Sequence, residues 1–273
     1  MLTRKIDFAI IIAVKNANPN GDPLNGNRPR MNYDGYGEMS DVCLKRKIRN
    51  RLIDDGEAIL VQSDDYRSDG YRSIKDRYDA NEEIKKLSKE KDGGKKAKIA
   101  CEQWFDVRTF GQVLAGVDDT SASIAIRGPA SLQSAFSVEP IDVASTQITK
   151  SVNLTTNEKD PSRKSGDTMG MKHRVDKGIY VSHGSINRQL AEKTGFSDED
   201  AEKLKRALQR MFENDESSAR PAGSMEVLKV IWWIHTDMTL SSAKVHRSLN
   251  VNPDGTYKLE KLDGIAVQEL DGQ

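Results

Sequence analysis

The chain of 273 residues holds only two cysteines, Cys43 and Cys101. They stand far apart in segments that read as helix or strand, which excludes a disulfide framework and a cysteine metal knuckle and fits a reduced, cytoplasmic setting. Aromatic residues make up 6% of the chain. No segment holds 18 uninterrupted apolar residues, and the apolar run Ile6–Val14 is too short to span a bilayer or to serve as a signal-peptide core, so neither a membrane protein nor a secreted one is expected. Net charge is also lacking: 42 basic and 42 acidic side chains cancel. The whole-molecule field gives no reason to expect a polyanion partner, so any nucleic-acid reading must rest on local clusters.

Catalytic signatures are equally sparse. Of the four histidines, His173, His183, His235 and His246, none lies at a familiar metal-ligand spacing from another histidine or a cysteine. The glycines Gly21, Gly26, Gly35 and Gly37 match neither a phosphate loop nor a dinucleotide fingerprint, and no nucleophile elbow occurs, so no cofactor is expected. Asp22 and Asp7, with Asp34 and Asp41, can be drawn around a magnesium ion, but Asp22 in Asn20-Gly-Asp-Pro23 can equally close an Asx turn that needs no metal.

What is present is an ordered succession of elements. Ile6, Phe8, Ile10, Ile12 and Val14 alternate, with Ile11 apolar opposite, as in a central strand. An Asn/Gly/Pro loop follows from Asn16 to Gly37. Ser40 then caps a helix whose Leu44, Ile48 and Leu52 form an apolar stripe, stopped by Gly56. Around that stripe stand Lys45, Arg46, Lys47, Arg49 and Arg51. Because acidic residues are scarce among them, Lys45, Arg46 and Arg49 are expected to form a free ridge that meets phosphates, helped by unpaired N–H groups at the helix start.

Residues 81–98, rich in lysine and broken by Gly93-Gly94, read as a surface insertion poorly able to build core. Ala122, Ile124 and Ile126 form an alternating strand closed by Arg127-Gly-Pro129. The polar stretch Thr155–Gly170 lies between shorter periodic pieces, Thr146–Leu154 and Arg174–Val181, and implies an extended hairpin-like arm. Ser197 caps a helix with Asp200 at its third position and Ala201, Leu204, Leu208, Met211 and Phe212 on one face. Val227–Ile234 reads as a second central strand, and Asn252-Pro-Asp-Gly255 as a turn between the last strands. The order predicts an α+β chain: an antiparallel sheet with helices on one side, interrupted by large insertions.

At Asn18-Pro-Asn-Gly-Asp-Pro23, Arg28-Pro-Arg30 and Asp41–Arg49, the sequence resembles the backbone subunit of the type I-C CRISPR Cascade complex, of the RAMP superfamily. Further matches run through Phe105-Asp-Val-Arg-Thr-Phe-Gly111, Ile126-Arg-Gly-Pro129, Ile148-Thr-Lys-Ser-Val-Asn153 and Lys172–Tyr180, so that the likeness covers roughly residues 5–235. The usual Thr-Gly-x-Gly before the first helix is replaced by Asp34-Gly-Tyr-Gly37.

The resemblance implies a modified RNA-recognition-motif (ferredoxin-like) palm with a helical insertion and a thumb hairpin. The palm would take residues 1–55, 104–138 and 182–273, the insertion 56–103 and the thumb 139–181. Such subunits stack in a helical filament on CRISPR RNA, beside other Cascade subunits, and display the guide to target DNA without cutting it. The sheet shows no aromatic pair at base-stacking spacing, so backbone contacts should dominate. Candidate RNA contacts are Asn18, Asn20, Arg28 and Arg30 in the loop, Ser40, Lys45, Arg46 and Arg49 on the helix, Arg127, and Met169, Met171, Lys172, His173 and Arg174 on the arm, where the methionines would wedge between bases. A metal-dependent ribonuclease of the same superfamily, using Asp22 or Asp34, is the alternative.

Overall fold

The computed structural model describes residues 1–87, 92–115, 123–149, 169–237 and 240–273. Strand β1 (Ile6–Ala17) sends Ile6, Phe8, Ile10, Ile12 and Val14 into the main core, while Ala9 and Ile11 are buried on the other face. The loop after it carries a short ribbon, β2 (Gly21–Asp22) with β3 (Arg28–Pro29), and then β4 (Tyr36–Met39). Helix α1 (Asp41–Asp54) starts where the Ser40 side chain accepts from the Cys43 N–H, and it buries Leu44, Ile48 and Leu52 as the spacing predicts.

Helices α2 (Ile74–Asp79), α3 (Glu82–Lys86), α4 (Gly93–Gln103) and α5 (Phe105–Phe110) follow, then a hairpin of β5 (Gly111–Leu114) with β6 (Ile124–Arg127). The insertion builds a core of its own, which corrects the expectation for residues 81–98. Leu60, Tyr78, Ile84, Ala100, Cys101, Trp104, Val107, Leu114 and Ile124 pack together, with Tyr78 stacked on Trp104 at 6.1 Å. Few apolar residues suffice because they are drawn from several elements and the segments between them, and the Lys96 side chain is buried as well. Ala122 of the expected strand lies outside the described residues.

Strands β7 (Ala130–Leu132) and β8 (Ala135–Pro140) lead to β9 (Val143–Thr149), which pairs with the first half of the long β10 (Met169–Ile186) from Val143↔Val175 to Thr149↔Met169. This is the expected arm. Its connecting residues 150–168, with most of the polar stretch 155–170, lie outside the described residues. The second half of β10 enters the main sheet beside β1, Ile6 facing Ile186.

After α6 (Arg188–Thr194), α7 (Asp198–Gln209) opens on a full capping box between Ser197 and Asp200; Met211 is buried just beyond the helix end. Strand β11 (Met225–His235) closes on the other side of β1. Helix α8 (Ser242–Arg247), a hairpin of β12 (Leu249–Val251) with β13 (Tyr257–Leu259), and β14 (Ile265–Asp271) complete the chain. The Asn252–Gly255 turn joins that separate hairpin.

The sheet is antiparallel throughout, in the order β14-β11-β1-β10-β8-β4, with β7 and β9 also on β10. Helices α1 and α7 cover one face, as expected. The other face is not open, however. Ala9, Ile231 and Trp233 are sealed by Val245 of α8 and flanked by Leu249, Tyr257 and Leu259, so Trp233 is unavailable for stacking. Asp7 lies beneath the same lid, accepting from His235 Nε2 at 2.6 Å, near the end of β1 remote from Asp22. Burial beside His246 pushes the His183 imidazole down to about 4, and burial also lowers that of His246.

Candidate nucleic-acid interface

The loop after β1 is fixed by its asparagines. The Asn20 side-chain Oδ1 accepts from both the N–H and the hydroxyl of Ser40, each at 2.9 Å, and so pins the loop to the start of α1. Asp22 accepts from the Leu24 N–H at 3.2 Å and faces Arg30 at 3.5 Å. That is the Asx-turn role. The Asn32 side-chain Oδ1 accepts from the N–H groups of Asp34 and Tyr36, and Tyr33 and Leu24 are fully exposed at the loop tips. Among the described residues, no three His, Cys, Asp or Glu side chains converge to hold a metal ion.

The basic helix differs most from expectation. Arg49 turns inward: its Nε donates to Asp106 at 2.9 Å, that carboxylate also accepts from the Leu60 and Val61 N–H groups, and Arg49 is 12% exposed. Lys47 is buried against Asp215, and Arg51 against Glu213 and Asp55. Lys45 pairs with Asp41 at 2.9 Å, and only Arg46, on Asp65, stays largely in solvent. The free ridge is therefore corrected. Acids are scarce next to these bases in sequence, but Asp65, Asp106, Glu213 and Asp215 are brought in from elsewhere. Ser40 likewise satisfies the Cys43 N–H, so the helix start is already capped. Arg127 is exposed on β6, which pairs only with β5 among the described residues, and does not join the other candidates.

Asn18 and Arg28, by contrast, meet the arm. Met169, Met171 and Ile148 are 64%, 54% and 48% exposed, so the methionines do not tuck against the sheet. Opposite them the Arg28 guanidinium donates to the Ser145 hydroxyl at 3.2 Å, and that hydroxyl meets His173 Nδ1 at 2.8 Å. Lys172 is exposed and has no partner among the described residues; Arg174 approaches only the exposed Asp176, at 4.0 Å. Between arm and loop lies a groove of about 300 Å³, lined by Asn18, Gly26, Asn27, Ile148, Met171, Lys172, His173, Ser218 and Ala219. Among the described residues that line it, none is acidic. Cations, exposed apolar side chains and amide groups in one groove suit a single strand with phosphates, bases and sugars to place.

Sequence reasoning missed Asn27, Ser218 and Ala219. The turn at 217–220 reaches the groove because Asp215 is held by Lys47 and Arg220, and because the Asn18 N–H donates to the Ala219 carbonyl at 2.8 Å. No local pattern signals such a tether.

A sheet with α1 and α7 on one face, a long hairpin continuing from its strand β10 and a partly apolar groove beside that hairpin define a chain of mixed α+β class. Residues 4–268 match the family model described as CRISPR-associated protein Cas7, and the chain belongs to that family. A CRISPR-associated protein Cas7 of Haloferax volcanii is 28% identical over 232 residues, covering 80% of this chain and 66% of the relative, just under two thirds of its length. Among solved structures, a chain of a "CRISPR RNA-guided surveillance complex, pre-nicking" superposes with a TM-score of 0.52 at 16% identity, covering 88% of this chain and 81% of that one. That likeness speaks for the fold alone.

Proposed function

We propose that this chain is a non-catalytic CRISPR RNA-binding subunit that oligomerises along the guide, forms the backbone of a Cascade complex of type I-C kind with other subunits, and displays the guide for pairing with target DNA. The observation that carries the reading is the groove. Exposed Met169, Met171 and Ile148 stand near Lys172, which has no carboxylate partner among the described residues, and Arg174, which only approaches the exposed Asp176. In this reading the sheet and its helices are a modified RNA-recognition-motif palm, residues 56–103 the helical insertion and 139–181 the thumb. Arg28, Lys172, His173 and Arg174 take phosphates. Asn20, Ser40 and Arg49 support the site from within. The closed sheet face favours contacts to the backbone over stacking on the sheet.

Asp22 is engaged in its turn and in the Arg30 pair, which favours structure over metal-dependent cleavage. The test is to bind the protein to single-stranded RNAs of unrelated sequence and to incubate the complexes with magnesium. Similar affinity for all sequences, with the RNA intact, is expected. Magnesium-dependent scission that disappears in Asp22→Asn or Asp34→Asn would establish the ribonuclease reading instead.

A further inference from the structure

We infer that Asn18 accepts a hydrogen bond from a ribose 2′-hydroxyl in the groove and so selects RNA over DNA, an inference that rests on the RNA-binding reading above. Asn18 is 4% exposed, directly after β1. Its Nδ2 donates to the Asn27 carbonyl at 2.7 Å. That bond fixes the amide's orientation, because the flipped amide would set oxygen against oxygen. Oδ1 is therefore the acceptor, and it has no donor among the described residues. A buried amide oxygen left unpaired costs free energy that a ligand supplying an N–H or O–H would recover.

The chemistry of a nucleic-acid strand narrows the donor. Phosphate oxygens only accept, and Lys172 and His173 in the same groove suit them. Met171 and Ile148 present apolar surface to bases. Base amines donate, but they change with sequence. The 2′-hydroxyl is the donor that every ribonucleotide carries and every deoxynucleotide lacks. Because Oδ1 is covered in the free chain, the strand must shift the rim of the groove to reach it.

The decisive comparison uses three strands of one sequence: RNA, DNA and 2′-fluoro RNA, whose sugar keeps the RNA-like pucker but cannot donate. The wild-type protein should bind 2′-fluoro RNA about fivefold more weakly per protomer than RNA, the worth of one ordinary hydrogen bond. Asn18→Leu, checked for folding by thermal melting, should bind RNA and 2′-fluoro RNA alike. The wild-type comparison needs no variant, so it decides the matter even if Asn18→Leu does not fold. Equal binding of the two strands by wild type, or a preference retained in Asn18→Leu, would overturn the inference while leaving RNA binding in place. Failure to bind any strand would overturn the RNA-binding reading and this inference with it.

Discussion

Replacing Lys172 and Arg174 together by glutamine should separate phosphate contacts from internal ion pairs. Lys172 has no partner among the described residues, and the Arg174–Asp176 approach at 4.0 Å joins side chains 47% and 59% exposed, an arrangement worth little. Both charges are thus available to a strand. For single-stranded nucleic acid each phosphate contact contributes about −0.7 to the slope of log K against log salt, so losing two should flatten it by about 1.4. Between about 50 and 200 mM salt, those two contacts account for a roughly sevenfold change in affinity.

Arg49→Gln is the contrast. It leaves the Asp106 carboxylate, 1% exposed, without its guanidinium, and breaking such a buried pair costs about 3–5 kcal/mol. At roughly 2–4 °C per kcal/mol the melting temperature should fall by about 6–20 °C. Its salt slope should match that of wild type. Fluorescence anisotropy across a salt series, with a thermal melt of each variant, gives both quantities. A flattened slope in Arg49→Gln with an unchanged slope in the arm variant would refute the reasoning and restore the basic helix as the phosphate surface.

Met169→Ser with Met171→Ser removes two exposed side chains, so stability should change by no more than about 0.5 kcal/mol; chemical probing of bound RNA should nonetheless lose its evenly spaced reactive nucleotides. Asp22→Asn keeps the Asx turn and should leave melting temperature and RNA integrity as in wild type, both read after incubation with magnesium. Acid should loosen the α8 lid. His183 and His246 have imidazoles depressed by burial, so the folded state resists protons that the unfolded chain accepts; stability is intact above about pH 6.5 and is lost as pH falls towards 4. Denaturant midpoints measured from pH 7 to 4 should show the fall, with His183→Gln flattening it.

Wherever one element could be read on its own, sequence and structure agree. The alternation of β1, the Ser40 cap with the Leu44–Ile48–Leu52 stripe, and the Ser197–Asp200 capping box are local patterns, and local geometry settles them. The arm was legible because periodic pieces flanked a polar centre, although its centre lies outside the described residues. What could not be read was pairing across the chain. Arg49 and Asp106 are 57 positions apart, and Lys47 and Asp215 are 168 apart, so the sequence near α1 looked uncompensated when it was not. The same holds for the α8 lid and for the turn at 217–220, which reach the sheet and the groove through contacts that leave no local trace. The methionines, by contrast, stand exposed, as a wedge between bases requires.

The central claim is that copies of this chain assemble side by side along a single RNA, each covering a fixed length. Sedimentation of the protein saturated with single-stranded RNAs of increasing length measures this directly. The mass should climb in equal steps of one protomer plus a constant number of nucleotides, with the RNA recovered intact. A complex that keeps the same number of protomers whatever the RNA length, or RNA recovered in pieces, would contradict it.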